Sequence, residues 1–487
     1  MMMKRIEINP MTRLEGHGKI SIFLDDRGNV ANAFFQVVEL RGYERFLRGL
    51  PIEEVPRTVS TVCGVCRGVH YTAALKASDA VYGAAPPPTA RLIRELFLNA
   101  HYVEDHCAIL YALGLPDFVV GPTANPAVRN LIGLIEAVGV ETGRLVLKKR
   151  FSAVKVLEIL GGRPIHPVAA VPGGWSKRVS EAERLEILGL SQDMVDLARL
   201  TLKVFEDIVL KNKAYMELVT GDMYKVVSNY AGTVGDDNTV QYYDGTQKVV
   251  DTAGQEIDSF RGREYLDVIA ERVVPWSYLK MPYLKKLGWQ GVTDGVGTSL
   301  YSVGPLARFN VAGGYDTPLA QEAYEQMVEA FGGKPVHHIM AYHWARAIEL
   351  LNAAEKVQRL AGDESITGPD IRAELGTPSE GVGIIEAVRG ILIHHYKTDD
   401  RGIVQEANLI VATTHNKGPI NVAIRRAAEH FIHDGRVDEG ILNMVEMAYR
   451  PYDLCLACAT HNLPGRSPVQ VDVYDHTGEM CRSLKNY

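Results

Sequence analysis

The sequence predicts an α+β fold that is mainly helical with mixed β-structure. Long stretches repeat apolar residues every three or four positions, and shorter stretches alternate apolar with polar residues. Hydrophobic residues make up 46% of the 487-residue chain, which is enough to bury a large core. No internal repeat or shift in composition marks a linker, so we expect residues 1–487 to form a single intertwined unit.

The first forty residues are predicted to form β-strands. Ile20, Ile22 and Leu24 alternate with polar neighbours, which is the period of a strand with one buried face. Residues 25–29 supply turn chemistry, and a second apolar run follows them.

Three long helical stretches are predicted next. Residues 89–113 and 129–160 carry apolar side chains at spacings of three and four. The third stretch, 180–210, begins at Ser180, and Glu183 is the residue that would complete a capping box.

The second half of the chain mixes both patterns. Residues 215–330 are rich in Gly, Asp, Tyr and turn signals, and we expect an irregular, β-rich segment there. The remaining predicted elements are helices at 337–362, strands within 383–414, helices at 419–434 and 438–449, and a final strand at 469–474.

Composition excludes several classes of protein. The net charge of −7 gives no basic surplus, so we expect no nucleic-acid partner. No apolar run reaches the roughly 18 residues that a membrane span needs. The N-terminus has charges but no apolar core segment, so we expect no signal peptide and a cytoplasmic location. The six cysteines are too sparse for a disulfide scaffold.

Two cysteine pairs carry the strongest chemical signal. Cys63 and Cys66 form one C-x-x-C motif, which His70 follows, and Cys455 and Cys458 form the other. A C-x-x-C turn brings two sulfurs close enough to share a metal, and thiolates are soft ligands that suit zinc, nickel or iron. Together the two pairs offer four sulfur ligands to one site.

A closed structural zinc site in a scaffold protein is the main alternative for such a set of ligands. Zinc modules usually take both pairs from one short segment, whereas 389 positions separate Cys66 from Cys455. A site that joins the two ends of a chain favours a buried active centre. A c-type haem site is excluded, because Arg67 and Ala459 stand where that motif requires histidine.

With their neighbours, the cysteine pairs resemble the metal-binding motifs of nickel–iron hydrogenase large subunits. The motifs here are C-G-V-C-x-x-x-H from Cys63 and D-x-C-x-x-C-x-x-H from Asp453. Three further stretches resemble the same family, in the same order along the chain: Met11–His17, Arg41–Glu44 and Glu386–Gly390. The resemblance runs from about residue 7 to residue 470.

The resemblance implies a role for each cysteine. Cys63 and Cys455 would be terminal ligands of nickel, while Cys66 and Cys458 would bridge nickel to an iron that carries carbon monoxide and cyanide. His70 would donate a hydrogen bond to a bridging sulfur, and such outer hydrogen bonds tune a metal.

Four charged residues match further functional positions of the family. Glu15 matches the glutamate that passes protons, a task that suits a buried carboxyl with a raised pKa. Arg389 matches the arginine that lies over the open metal position, and Asp105 and Asp453 match the carboxylates that hold it.

A magnesium-type ion is also implied beside this centre. Glu44, His461 and the backbone carbonyl of Leu409 match its ligands. Carboxylate and carbonyl oxygens suit a hard cation, which usually keeps several waters.

The sequence departs from the family pattern at three places. Thr61 stands where the family usually has arginine, and Val388 and Leu454 stand where it usually has proline. None of these departures removes a metal ligand. In the family, a tail after the last motif is commonly cut off by a maturation protease, and the sequence leaves open whether residues 462–487 are cleaved or retained.

The implied fold is a long-helix bundle core with peripheral β-structure, and the implied reaction is the reversible oxidation of dihydrogen. The electrons would pass to an iron–sulfur small subunit, because only Cys107 and Cys481 remain outside the motifs. The residues around Cys458 and Pro464 resemble the cytoplasmic, cofactor-coupled (methyl-viologen-reducing) branch, which implies a flavin- or iron–sulfur-containing acceptor module. The related quinone-site subunit of respiratory complex I, a second alternative, lacks the four cysteines.

Overall fold

The computed structural model describes residues 5–460, 470–475 and 479–485. Its helices are α1 (Tyr43–Phe46), α2 (Val55–Val59), α3 (Arg67–Val81), α4 (Pro88–Ile109), α5 (Pro116–Val119), α6 (Leu131–Val138), α7 (Val140–Gly161), α8 (Glu181–Phe205), α9 (Lys213–Thr220), α10 (Tyr265–Val268), α11 (Pro305–Val311), α12 (Pro318–Phe331), α13 (Ala341–Gly362), α14 (Ala412–His415), α15 (Lys417–Phe431), α16 (Glu439–Glu446) and α17 (Leu456–Ala459).

The strands form small, mostly antiparallel sheets. They are β1 (Arg5–Ile8), β2 (Gly18–Leu24), β3 (Val30–Val37), β4 (Ala170–Val171), β5 (Gly174–Trp175), β6 (Asn229–Val234), β7 (Thr246–Val250), β8 (Glu256–Phe260), β9 (Ile269–Arg272), β10 (Met281–Leu284), β11 (Tyr301–Ser302), β12 (Glu380–Ala387), β13 (Gly390–Thr398), β14 (Val404–Ile410), β15 (Gln470–Tyr474) and β16 (Met480–Lys485). Two of the sheets have the strand orders β1-β2-β3 and β12-β13-β14, and a four-stranded sheet has the order β11-β6-β7-β8.

Four long helices form the centre of the molecule. Helix α13 packs against α4 and α8, and α7 packs against the same two helices. Helix α13 is buried along nearly its whole length, which explains why its sequence shows little amphipathic contrast. The predicted helical core with peripheral β-structure is confirmed.

A hairpin beside this core positions the site. Strands β12 and β13 pair in register up to Ala387 and Gly390, so that Val388 and Arg389 form a two-residue turn. Helix α3 packs against both strands of this hairpin. The turn lies near the start of α3, because Arg389 in the turn contacts Cys66, the residue from which α3 begins.

Most predicted elements are confirmed, with three corrections. The helical stretch 129–160 is two helices, α6 and α7, broken at Gly139, whose positive φ of 92° suits glycine. The β-rich segment contains α11 and α12, and each has a proline in its first turn, which is a helix-start signal. The strand at the end of the chain is joined by β16, which the sequence did not predict.

The capping box predicted at Ser180 is present. The Glu183 N–H donates to Ser180 Oγ at 3.3 Å, and the Ser180 N–H donates to Glu183 Oε2 at 2.9 Å. None of the described helices combines the length and the apolar composition that a membrane crossing requires.

Candidate metal centre

The four motif cysteines meet in one buried cluster. Their Sγ atoms all lie within 4.8 Å of one another, and all four thiols are free. The Sγ of Cys455 lies 3.2 Å from that of Cys66 and 3.5 Å from that of Cys63. Cys455 and Cys458 are completely buried, whereas Cys63 keeps 5% of its surface exposed. The structure thus brings together the two pairs that the sequence singled out.

Backbone pairing joins the two ends of the chain at this cluster. The Glu15 N–H donates to the Leu454 carbonyl at 3.0 Å, and the Leu456 N–H donates to the Glu15 carbonyl at 2.9 Å. Glu15 and Cys455 therefore form a parallel bridge between two segments 440 positions apart. On the other side, Cys66 is the residue from which α3 begins.

Hydrogen bonds and burial act differently on the pKa values of the four thiols. The N–H groups of Val65 and Cys66 donate to Cys63 Sγ at 3.3 and 3.4 Å. The neighbouring thiols hold the pKa of Cys63 well below its ordinary value, led by the hydrogen bond from Cys455. Burial instead raises the pKa of Cys455 and Cys458 far above the ordinary range. Four thiolates can coexist here only around a positive ion, so metal entry must release protons.

This donor set fits the nickel–iron centre that the sequence motifs imply. Soft thiolates suit nickel and iron, and four of them converge from two C-x-x-C segments. Cys107 lies outside the cluster, buried on α4, and burial raises the pKa of its thiol to about 12. Cys481 is exposed on β16.

Glu15 lies against one edge of the cluster. Its Oε2 accepts from Cys455 Sγ at 3.0 Å and from the Ala457 N–H at 3.1 Å. Burial raises the pKa of Glu15, and the charge of Cys63 raises it further. This carboxyl is only partly buried, so it connects a thiol to the region near the surface.

Arg389 lies against another edge of the cluster. Its Nη1 donates to Cys66 Sγ and to Asp105 Oδ2, both at 3.2 Å, and its Nε donates to the Asp453 carbonyl at 3.0 Å. The Asp453 carboxylate lies 3.1 Å from the same Nε. Burial alone would lower the pKa of Arg389, but Asp105 and Asp453 raise it well above its ordinary value. The guanidinium therefore stays charged.

His70 lies one turn into α3, where its N–H donates to the Cys66 carbonyl at 3.2 Å. Its Nδ1 lies 3.1 Å from His394 Nε2, and its buried Nε2 has no hydrogen-bond partner among the described residues. Burial lowers the pKa of His70 to about 4, so the ring is neutral at neutral pH. The bond to a bridging sulfur expected from the sequence is not among these contacts and stays a prediction.

Two of the three residues expected to bind magnesium lie together. Glu44 Oε1 accepts from the Leu409 N–H at 2.8 Å, and burial raises the pKa of Glu44 to about 7. The third, His461, lies outside the described residues. Glu44 thus contacts the N–H of Leu409 in this structure, while the expected metal ligand is the carbonyl of that residue.

Sequence reasoning missed the residues that support Arg389 from behind. Arg308 on α11 forms a bidentate ion pair with Glu349 and donates to Glu386 Oε2 at 2.6 Å. It also donates to the carbonyls of Ala387 and Val388, both at 3.0 Å, and so fixes the turn that carries Arg389. Glu386 belongs to the motif Glu386–Gly390, and that position was the available signal in the sequence.

Comparison with known proteins agrees with this geometry. The family described as nickel-dependent hydrogenase matches residues 41–128 and 289–461, and a family described as HoxL-like matches residues 5–40. The chain is 67% identical to an Archaeoglobus profundus protein named as an iron-sulfur subunit of an F420-non-reducing hydrogenase, over the full length of both. It is 37% identical to the NAD-reducing hydrogenase HoxS subunit beta of Cupriavidus necator, over 98% of this chain and 99% of that one.

A solved structure shows the same fold. The crystal structure of an NAD⁺-reducing [NiFe]-hydrogenase in the H₂-reduced state superposes with a TM-score of 0.87 at 35% identity, over 94% of this chain and 99% of that chain. The expected large-subunit fold and the expected resemblance to the cofactor-coupled branch are both confirmed, and neither the complex I subunit nor the zinc scaffold is favoured. The chain belongs to the nickel-dependent hydrogenase family, as a large subunit of the nickel–iron type.

Proposed function

We propose that this chain carries out the reversible oxidation of dihydrogen at a centre that its four cysteines hold. The observation that supports this function is the convergence of four buried sulfurs between a protonatable carboxyl, Glu15, and a fixed positive charge, Arg389. When bound, the nickel–iron centre supplies the heterolytic cleavage of dihydrogen. Cys63 and Cys455 would be its nickel ligands, and Cys66 and Cys458 its bridging ligands.

The chain's own residues divide the remaining work. Glu15 accepts the proton beside Cys455 Sγ, and burial, which raises the pKa of this carboxyl, favours that uptake. Arg389 holds a positive charge over the sulfur of Cys66, and its ion pairs with Asp105 and Asp453 fix its plane.

Two further ligand sets belong to this proposal. The iron would carry carbon monoxide and cyanide, which the protein's side chains do not supply. A magnesium ion would bind at Glu44, with the Leu409 carbonyl and His461 as its other protein ligands. The raised pKa of Glu44, a buried carboxyl close to Lys280 and Glu271, supports a site that a hard cation completes.

An iron–sulfur small subunit would take the electrons. Its docking face would be the surface around Gly64, where the first cysteine loop is exposed. Arg67 joins that loop to a second one, donating to the Gly64 carbonyl at 2.7 Å and to the Pro164 carbonyl at 3.1 Å. The adjacent Ile165 is 52% exposed and offers an apolar contact at this surface.

Replacing Ile165 with aspartate tests that docking face. The charge should reduce the amount of small subunit that co-purifies, because it places a carboxylate in an apolar contact. Val296→Asp is the matched control, since Val296 is 94% exposed and lies far along the chain from the cysteine loops. Equal loss in both variants, or no loss in either, would argue against the assigned surface.

The acceptor would be a cytoplasmic module that contains flavin or iron–sulfur clusters. The relatives named NAD-reducing and F420-non-reducing support this branch. Co-purification of the whole enzyme with such a module is the expected result, and recovery with a membrane cytochrome would contradict it. Residues 1–487 would form one catalytic unit. If residues 462–487 are removed during maturation, a maturation protease would cut them off.

Metal analysis of Cys458→Ser tests the site itself. A serine oxygen is a hard donor and cannot replace a bridging thiolate, so nickel content and dihydrogen uptake should both be lost. Cys107→Ser is the matched control, because it removes a buried thiol that lies outside the cluster. Nickel and activity retained in Cys458→Ser, or zinc alone in the unaltered protein, would overturn the assignment.

A further inference from the structure

Three buried polar rings form a chain that ends beside the cysteine cluster. The Tyr396 hydroxyl lies 2.6 Å from His394 Nδ1, and His394 Nε2 lies 3.1 Å from His70 Nδ1. All three side chains are at most 1% exposed. Among the described residues, the Tyr396 hydroxyl has no hydrogen-bond partner other than His394. Hydrogen bonds therefore join the three rings one after another.

These hydrogen bonds connect α3, which begins after Cys66, with β13, which begins after Arg389. His70 lies in the first turn of α3, directly after Cys66. His394 and Tyr396 lie on one face of β13, the strand that begins directly after Arg389. The charges of Cys63 and Arg389 both act on the His70 ring, which places it within electrostatic reach of the cluster.

The direction of the hydrogen bonds follows from the tyrosine. Burial raises the pKa of Tyr396 well above its ordinary value, so the hydroxyl keeps its proton. Because His394 Nδ1 is the hydroxyl's only acceptor among the described residues, the hydroxyl donates that proton there. The proton of His394 is then on Nε2, which donates to His70 Nδ1. A neutral His70 with an accepting Nδ1 must carry its own proton on Nε2.

We propose that His394 and Tyr396 are positioning residues that set the tautomer of His70, so that its Nε2–H is the donor available to the cysteine cluster. In the opposite tautomer, His70 would present a lone pair there, which thiolates repel. The tyrosine hydroxyl thus decides, two hydrogen bonds away, which nitrogen of His70 carries the proton. This inference extends the proposed function but concerns only the positions of protons on the protein.

The tautomer can be measured directly in the holoenzyme. In enzyme labelled with ¹⁵N-histidine and held in a diamagnetic state, His70 is identified by the signals that disappear in His70→Gln. We expect a protonated Nε2 and an unprotonated Nδ1. Tyr396→Phe removes only the hydroxyl, and His70 should then become a mixture of both tautomers while the nickel content stays unchanged. If the iron carries diatomic ligands, their infrared bands should shift in the same variant.

Tyr230→Phe is the matched control, because its hydroxyl also lies 2.6 Å from a histidine Nδ1, that of His337. It should leave the His70 signals unchanged. A proton on Nδ1 of His70 in the unaltered enzyme would overturn the proposal, and this result needs no variant to fold. An unchanged tautomer in Tyr396→Phe would overturn it as well. Loss of dihydrogen chemistry with the expected tautomer would instead count against the proposed function.

Discussion

The two edges of the cysteine cluster carry groups of opposite chemistry. Glu15, on one edge, is partly buried, touches one thiol and has no cation at hydrogen-bond distance among the described residues. Arg389, on the other, is 3% exposed and is held by two buried carboxylates and a backbone carbonyl. More charged and polar groups therefore fix the position of the arginine than fix that of the glutamate.

This difference separates a group that changes charge from a group that does not. Burial raises the pKa of Glu15 above its ordinary value, which favours uptake of a proton by the carboxyl. The paired carboxylates raise the pKa of Arg389, so the guanidinium keeps its proton throughout. Proton transfer is then expected through Glu15, while Arg389 keeps a constant positive charge beside the cluster.

Glu15→Gln should have the largest effect among variants that keep the metals. The amide preserves shape and hydrogen bonding but cannot carry a proton, so isotope exchange between dihydrogen and water should fall by about 10²- to 10⁴-fold. Nickel content should stay unchanged. Near-normal exchange in this variant would remove Glu15 from the proton path.

The pH profile sharpens the same test. Because the pKa of Glu15 is raised, its carboxyl is protonated, and unable to accept, at a higher pH than an ordinary glutamate. Proton uptake by Glu15 should therefore fall as the pH drops through the pKa of this carboxyl. This decrease at low pH should be absent in Glu15→Gln. Glu39→Gln is the control, since Glu39 accepts from the His17 N–H at 2.8 Å nearby but touches no thiol of the described cluster. Its profile should match the unaltered enzyme.

Arg389→Lys should have a smaller effect, because lysine keeps the positive charge but lacks the planar guanidinium group with its several N–H donors. A lysine cannot reach Cys66, Asp105 and the Asp453 carbonyl together, and one charge-assisted hydrogen bond is worth about 1.5–3 kcal/mol. Exchange per nickel should fall by about 10- to 100-fold. Arg94→Lys is the matched control, since Arg94 is equally buried but paired with Asp79 outside the cluster. A similar loss in both variants would point to general destabilisation.

The sequence anticipated the ligands of the cluster better than their supports. The two C-x-x-C pairs are local patterns, so their spacing in the sequence predicts metal binding without knowledge of the fold. Glu15 and Arg389 followed from family motifs, which carry position as well as residue type. The ion pair of Arg308 with Glu349, and the contact of Tyr396 with His394, join residues that show no spacing pattern along the chain. Such partners are set by how α11, α13 and β13 pack.

The same distinction explains the errors in the secondary structure. Ile20, Ile22 and Leu24 alternate visibly because one face of β2 is buried, whereas Lys19 and Phe23 on the other face are only partly buried, and that strand was predicted correctly. The break at Gly139 interrupts a continuous apolar pattern, and periodicity alone does not reveal it. The fold class depends on the long periodic stretches, which is why these local errors did not change it.

Val388→Pro, which restores the usual family residue, should have the smallest effect on the Arg389 side. Val388 is the first residue of the two-residue turn between β12 and β13, and its carbonyl is already fixed by Arg308 Nη2 at 3.0 Å. If packing behind the turn determines the position of Arg389, a stiffer residue adds little. Exchange should then stay within about threefold, and the free energy of unfolding should change by no more than about 1 kcal/mol. If the residue before the arginine controls its plane instead, exchange would change by tenfold or more without a change in nickel content. Measuring exchange, nickel and unfolding together separates these cases, because only a change confined to exchange would assign the control to position 388.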